Sequence, residues 1–218
     1  MNNQAPTYYD ADYFDWQKNI GAFGGIANLI KFQPYISPSD RLVDFGCGGG
    51  YLLANIDCAE KIGVEVNPTA SDAARARGLQ IVDDLRELPD NWASVVISNH
   101  ALEHVYHPFA IASEMLRVLH PGGRAVIVVP CDRYDMAFRP DDINQHLYSW
   151  SPMNLGNLFS HAGFEIIDCA NFVHAWPPNY ERIVRRFGWS VFHFLARLHG
   201  RRERRWKQVR LVARKPAS

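Results

Sequence analysis

The chain has 218 residues, 47% of them hydrophobic and 21% charged, which suits a single globular domain with a substantial core. No run of about 18 apolar residues appears, which argues against a spanning helix, and the acidic, aromatic start MNNQAPTYYDADYFDW lacks the apolar region of a secretory signal. The formal net charge of zero is unevenly spread: residues 180–218 carry 12 Lys/Arg against two acids, net +10, which leaves the preceding 179 residues at −10. An anionic partner is therefore expected for the tail and not for the body. Cys47, Cys58, Cys131 and Cys169 show neither CxxC pairing nor zinc-ligand spacing, so four reduced thiols in a cytoplasmic protein are expected.

In chain order, Tyr9, Tyr13, Trp16 and Ile20 share one helical face, and a second helix is predicted from about Phe23 to Phe32, stopping near Pro34. RLVDF (41–45) reads as a buried strand, followed by a glycine loop and a helix from about Tyr51. KIGVEV (61–66), LQIV (79–82) and SVVIS (94–98) are the next strands, with a helix over Pro68–Arg77 ended by Gly78. A helix from Pro108 to Leu119 is predicted to close at HPGG (120–123), before a fifth strand, RAVIVVP (124–130). The polar, acidic and aromatic stretch 131–150 reads as a loop over a site. A helix over Pro152–Ala162, a strand FEIIDC (164–169) and a final strand KQVRLVARK (207–215) complete the pattern.

Strands alternating with helices predict an α/β fold with a doubly wound, seven-stranded, mostly parallel sheet and insertions after the fifth and sixth strands. The expected organisation is one domain: a helical cap (1–38), a cofactor-binding core (39–130), an acceptor-side loop, helix and strand (131–175), an aromatic and basic helical insertion (176–207) and the last strand (208–215).

LVDFGCGGGYLL (42–53) places glycines between a strand and a helix, where backbone amides meet a ligand and positive φ is needed. A dinucleotide fingerprint needs a third glycine where Tyr51 stands, and a phosphate loop needs a lysine that does not follow. What stands here is Asp44-x-Gly46-x-Gly48-x-Gly50. Together with GVEVNP (63–68), DDLRELP (83–89), SVVISNHALEHV (94–105) and LRVLHPGG (116–123), this resembles the motif set of class I S-adenosyl-L-methionine-dependent methyltransferases, in the small-molecule type-11 branch.

The resemblance implies S-adenosyl-L-methionine as cofactor, contacted by Gly46, Cys47, Gly48, Gly50 and Val66. Glu65, 21 residues after Asp44, would accept hydrogen bonds from the ribose hydroxyls. Asp84 would take the adenine amine, with Asp83 as its competitor and Leu85 beside the ring. Asp44 would orient the methionyl amine, and Ser98, Asn99 and His100 would lie near the sulfonium.

SNHA (98–101) replaces the NPPY-type tetrapeptide that holds a base amine, so methylation of nucleic-acid bases is not expected, and the basic tail carries no nucleic-acid motif. A hydroxyl acceptor gains from a base near neutral pH. His104, four residues after His100 on a starting helix, and His146, in DDINQHLYSWSP (141–152), are the candidates. A metal clipped by Glu103, His104 and a later carboxylate lacks a visible full ligand set, and no metal is expected.

Asp132, Arg133, Tyr134 and Tyr148 line the same mouth, and Tyr13 and Trp16 would close it. In the tail, Val191, Phe194, Leu195 and Leu198 share a helical face beside Trp189 and Phe192, followed by Arg201, Arg202, Arg204, Arg205 and Lys207. That helix either packs on its own protein or meets an anionic membrane surface, placing the protein at the inner face of the membrane. The expected function is O-methylation of a sugar, polysaccharide or glycolipid precursor. The alternatives are a quinone or other lipid-ring methyltransferase, and a cofactor-binding partner protein without turnover.

Overall fold

RLVDF forms β1 (Arg41–Phe45), with Leu42, Val43 and Asp44 shielded from solvent. It lies inside a seven-stranded sheet with β2 (Glu60–Val64), β3 (Gln80–Val82), β4 (Ala93–Asn99), β5 (Leu119–Cys131), β6 (Glu165–Phe172) and β7 (Lys207–Arg214). The order is β3-β2-β1-β4-β5-β7-β6. All pairings among β1 to β5 are parallel, whereas β7 runs antiparallel between β5 and β6. This computed structural model describes residues 21–132, 137–140, 142, 144–202 and 207–217. The expected helix around Tyr13 and Trp16 lies outside them, as do Arg133 and Tyr134.

Successive residues of the central strands enter two cores, as the period of two along a strand requires. Val95, Ile97, Val126 and Val128 cluster with Phe32, Leu53 and Ala74 from the helical segments Leu29–Phe32, Tyr51–Ala54 and Pro68–Arg75. Val96, Ala125, Ile127 and Val129 cluster with Ala112, Met115, Leu155 and Phe159 from helices Pro108–Val118 and Pro152–His161. Burial on both faces explains why these strands read as almost unbroken apolar runs. Strand order reverses between β1 and β4, and doubly wound sheets take their ligands at such a point, beyond the carboxyl ends of the strands. Phe45 pairs there with Ser98, one residue beyond Asp44.

Three local expectations change. The helix from Pro108 ends at Val118 without a glycine cap, because Leu119 is already extended and pairs with Ala93. HPGG belongs to the irregular start of β5, where the register shifts between Ala93 and Val95. NHALEH starts no α-helix: His100 has φ of 57°, and only Leu102–His104 form a single 3-10 turn.

The tail helix, Tyr180–Arg202, is two helices joined at Gly188, whose φ of 79° and ψ of 174° interrupt the helical hydrogen bonding. Its packed face is not the expected stripe. Phe192 and Ala196 are fully buried against Ala27, Phe23 and Trp176, while Val191, Phe194 and Leu198 point to solvent. The aromatic rings decide the outcome, since Phe23 alone meets Trp176, Tyr180, Trp189 and Phe192 at centroid distances of 4.5–5.4 Å.

Candidate active site

Gly46, Gly48 and Gly50 have φ of 72°, 53° and 75°, a region closed to most side chains. A Cβ at Gly46 would strike Ala101, and one at Gly50 would strike Leu79, so the protein's own packing also demands glycine. The loop amides are largely committed. Gly46 and Cys47 both donate to the Val64 carbonyl, at 2.9 and 3.2 Å. Gly48 donates to Glu65 Oε2 at 2.9 Å, and Asn67 donates to Glu65 Oε1 at 2.8 Å.

Glu65 thus ties the glycine loop to the start of helix Pro68–Arg75, a bracing role that spacing alone did not reveal. Burial raises its carboxyl above the usual range, against the lowering effect of the Asn67, Gly48 and Val66 amides. Each carboxylate oxygen keeps a further lone pair, so ribose hydroxyls can still be accepted. Asp44 sits buried close by. Burial, then the charge of Glu65, push its carboxyl up to about 7. A buried acid beside a second acid is the complement of a cationic ligand, the character expected of the methionyl amine.

The other expected cofactor residues divide. Val66 is exposed beside Glu65 and offers apolar surface. The Cys47 thiol packs at the core edge, and burial raises its pKa strongly. Asp84 caps a short turn: its Oδ1 accepts from Arg86 N and Nε at 2.8 and 2.9 Å. The Arg86 side chain holds that carboxyl below the usual range. Asp83 is more exposed and lies 3.6 Å from Arg75. Leu85 is 1% exposed inside the core, so the ring contact expected of it is closed. Ser98 also faces inward, its hydroxyl donating to the Phe45 carbonyl at 2.9 Å.

Asn99 meets a residue that the sequence reading missed. Lys31, only 3% exposed, donates from Nζ to Asn99 Oδ1 at 2.9 Å. Burial lowers its pKa to about 7, partly opposed by the charge of Glu103. The one hint is a lysine inside the apolar run NLIKF. Its cationic form is disfavoured in the fold below the ordinary pKa of 10.5, most fully below about 7. Lys31→Met is therefore expected to stabilise the protein by about 1–3 kcal/mol at pH 7, net of the orphaned Asn99 and the lost attraction of Glu103. Urea unfolding of both forms checks this, and the difference should shrink as pH rises toward 10.

On the acceptor side, His100 and His104 converge on Glu103 without sharing a helix face. His100 Nδ1 lies 3.4 Å and His104 Nε2 3.8 Å from Glu103 Oε1. Glu103 is 0% exposed, and neither of its oxygens accepts a hydrogen bond among the described residues. Its carbonyl accepts from the amides of Leu147 and Tyr148, at 2.9 and 3.3 Å, which pins the loop carrying His146.

His146 Nδ1 stands 2.9 Å from Asp132 Oδ2, and its ring centroid 5.1 Å from that of His104. Burial disfavours protonation of His146, but the Asp132 hydrogen bond and charge, with Glu103 and Asp142, raise its pKa above the ordinary value. Burial pushes His104 down to about 4, so it is neutral at pH 7. Tyr148 is set apart from these rings, its hydroxyl donating to the Tyr106 carbonyl at 3.0 Å. Trp150 is buried in the core.

A methyltransferase-domain family model matches residues 19–168. The chain is 34% identical over 110 residues to an uncharacterized methyltransferase of Mycobacterium sp. (strain KMS), covering 47% of this chain and 44% of that protein. It thus spans less than half the length of that relative. It is 27% identical over 192 residues to the malonyl-[acyl-carrier protein] O-methyltransferase of Dechloromonas aromatica (strain RCB), covering 83% of this chain and 70% of that one. The crystal structure of a SAM dependent methyltransferase from Archaeoglobus fulgidus has the same fold, with a TM-score of 0.69 at 20% identity over 94% of this chain and 100% of that one. With a family match across most of its length, this sheet order and this glycine loop, the chain belongs to the class I S-adenosyl-L-methionine-dependent methyltransferases.

Proposed function

We propose that the protein transfers a methyl group from S-adenosyl-L-methionine to a small-molecule acceptor, at a hydroxyl of a sugar or of a polysaccharide or glycolipid precursor. The observation that carries the reading is the pairing of two half-sites beyond the same strand ends. Asp44 and Glu65 form an acidic, glycine-walled half-site, and the Asp132–His146 pair forms the second beside Glu103 and His104. The bound cofactor supplies an electrophilic methyl on a sulfonium. The chain's own residues hold the acceptor in line, and positioning of that kind contributes about 7–11 kcal/mol.

Asp132 fixes the imidazole of His146 through Nδ1 and leaves Nε2 to take the hydroxyl proton, with the side chains as they stand. His104, at about 4, is the weaker base. The part-exposed Asp132 carboxylate and the His100 and His146 imidazoles suit a hydroxyl-rich ligand. A labelled methyl donor with nucleotide sugars, phenols and quinones tests the class. Methylated sugar supports it, and product from quinones alone overturns it. Cofactor binding without product from any of them points to a partner protein without turnover.

A specific feature favours a lipid-borne acceptor as second reading. Phe187 and Phe194 are 58% and 61% exposed on the tail helices, with Val191 and Leu198 also outward, among exposed Arg182, Arg185, Arg186, Arg197, Arg201 and Arg202. Apolar side chains framed by arginines match an anionic membrane surface. No helix among the described residues is long and apolar enough to cross a membrane. In liposome flotation the protein is expected to follow vesicles containing anionic lipid, and Phe194→Ser with Leu198→Ser to abolish this. Unchanged partition of the double variant removes the membrane from the account.

A further inference from the structure

We propose that Glu103, His104 and His146 together bind one divalent first-row transition-metal ion, zinc being the ion that their donors suit best. The ligand atoms of the three side chains lie within 4.8 Å of one another. Two imidazoles and one carboxylate form the His₂Glu set of zinc sites that keep a fourth position open. Magnesium and calcium prefer sites built from oxygen.

Glu103 gives the strongest indication. Removing a carboxylate from water without hydrogen bonds is expensive, yet Glu103 is fully buried and neither oxygen accepts a hydrogen bond among the described residues, the His100 and His104 rings standing 3.4 and 3.8 Å from Oε1. Lys31 donates to Asn99, and no hydrogen bond or ion pair joins it to Glu103 among the described residues. A cation between Glu103 and the imidazoles supplies what the carboxylate lacks. The 3.8 Å from its Oε1 to His104 Nε2 is close to the roughly 3.3–3.5 Å that tetrahedral zinc ligands keep from one another.

The histidines are prepared for the same task. His146 is held through Nδ1 by Asp132, the carboxylate–histidine arrangement that orients metal-binding imidazoles, and Nε2 is then its ligand atom. The backbone secures the spacing, because the peptide that presents Glu103 also receives the amides of Leu147 and Tyr148 beside His146. The sequence displayed Glu103 and His104 side by side; the fold adds the third ligand, 42 residues later than His104.

This inference rests on the reading that the acceptor meets this cluster. The ion takes the nitrogen assigned above to the base and takes over its role. An acceptor hydroxyl at the open position loses its proton to solvent, its oxygen forms the bond to the methyl carbon, and the carbon–sulfur pair stays on sulfur.

The test needs no acceptor. Chelator-stripped protein is titrated with zinc by calorimetry and in competition with a chromophoric chelator. One zinc per chain is expected, with binding weakened about 100-fold or more in Glu103→Gln and in His146→Ala, and about 10- to 100-fold in Asp132→Asn. Glu103→Gln keeps the size of a buried side chain that accepts no hydrogen bond, so its metal-free melting temperature should equal or exceed that of the parent, and His146→Ala lies in a loop and gives a second reading. Absence of zinc binding, or binding unchanged in both variants, overturns the site. Slower turnover of the zinc-loaded protein than of the stripped protein overturns the activating role. A failed acceptor panel leaves the zinc result standing, so the two readings fail separately.

Discussion

Asp44→Asn is expected to weaken S-adenosyl-L-methionine binding by about 10- to 100-fold, the worth of one buried charge-assisted hydrogen bond, about 1.5–3 kcal/mol. The same substitution should stabilise the ligand-free protein. The Asp44 carboxyl titrates at about 7 in the fold, against an ordinary 3.8. Its folded-state pKa is raised, so this residue costs no stability below about pH 4, and the full cost is reached above about pH 7. Three pKa units correspond to about 4 kcal/mol. Cofactor affinity runs the other way: it rises about tenfold per pH unit toward pH 7 and then levels, because the cationic amine needs the ionised acid. Calorimetric titration and urea unfolding at pH 5 and pH 8 check both halves.

In metal-free protein, His146→Ala is expected to lower kcat by about 10²- to 10⁴-fold, the usual contribution of a positioned base. Cofactor affinity should not move, because the contacts of His146 are with Asp132 and the His104 ring, away from Asp44 and Glu65. Asp132→Asn should lower kcat by a smaller factor, since the imidazole remains but loses the carboxylate that orients it. Single-turnover rates with saturating labelled donor, alongside donor titrations, separate the two effects. Equal losses in kcat and donor affinity for His146→Ala would contradict the assignment.

The sheet was legible because each strand satisfies a purely local rule. RLVDF enters the two cores through Leu42 and Val43 and forms β1 with the predicted ends, whereas SVVIS extends by one residue at each end, to Ala93 and Asn99, and buries Ser98 beside its apolar residues. The glycine loop was legible for the same reason, since positive φ selects glycine whatever surrounds it. Long-range pairing was hidden. Nothing in FEIIDC or KQVRLVARK shows that the later strand inserts between β5 and the earlier one.

Side-chain direction was hidden as well. Ser98 and Leu85 sit in the expected motifs but turn inward, to a backbone carbonyl and to the core. In the tail, periodicity identified an apolar stripe, but both sides of the helix are apolar, and the aromatic contacts of Phe23 decided which one packs. Lys31 was beyond a sequence reading because a lone lysine is ordinarily at the surface, and only the fold reveals its burial.

The central claim is that Asp44, near the end of β1, and Glu65, just beyond β2, bind S-adenosyl-L-methionine. Isothermal titration of the cofactor into the protein and into Glu65→Ala tests it most directly. Saturable one-site binding is predicted for the parent, with at least about tenfold weaker binding in the variant, which loses both the ribose acceptor and the brace on Gly48. Absence of binding by the parent, or equal affinity of the two proteins, would contradict it.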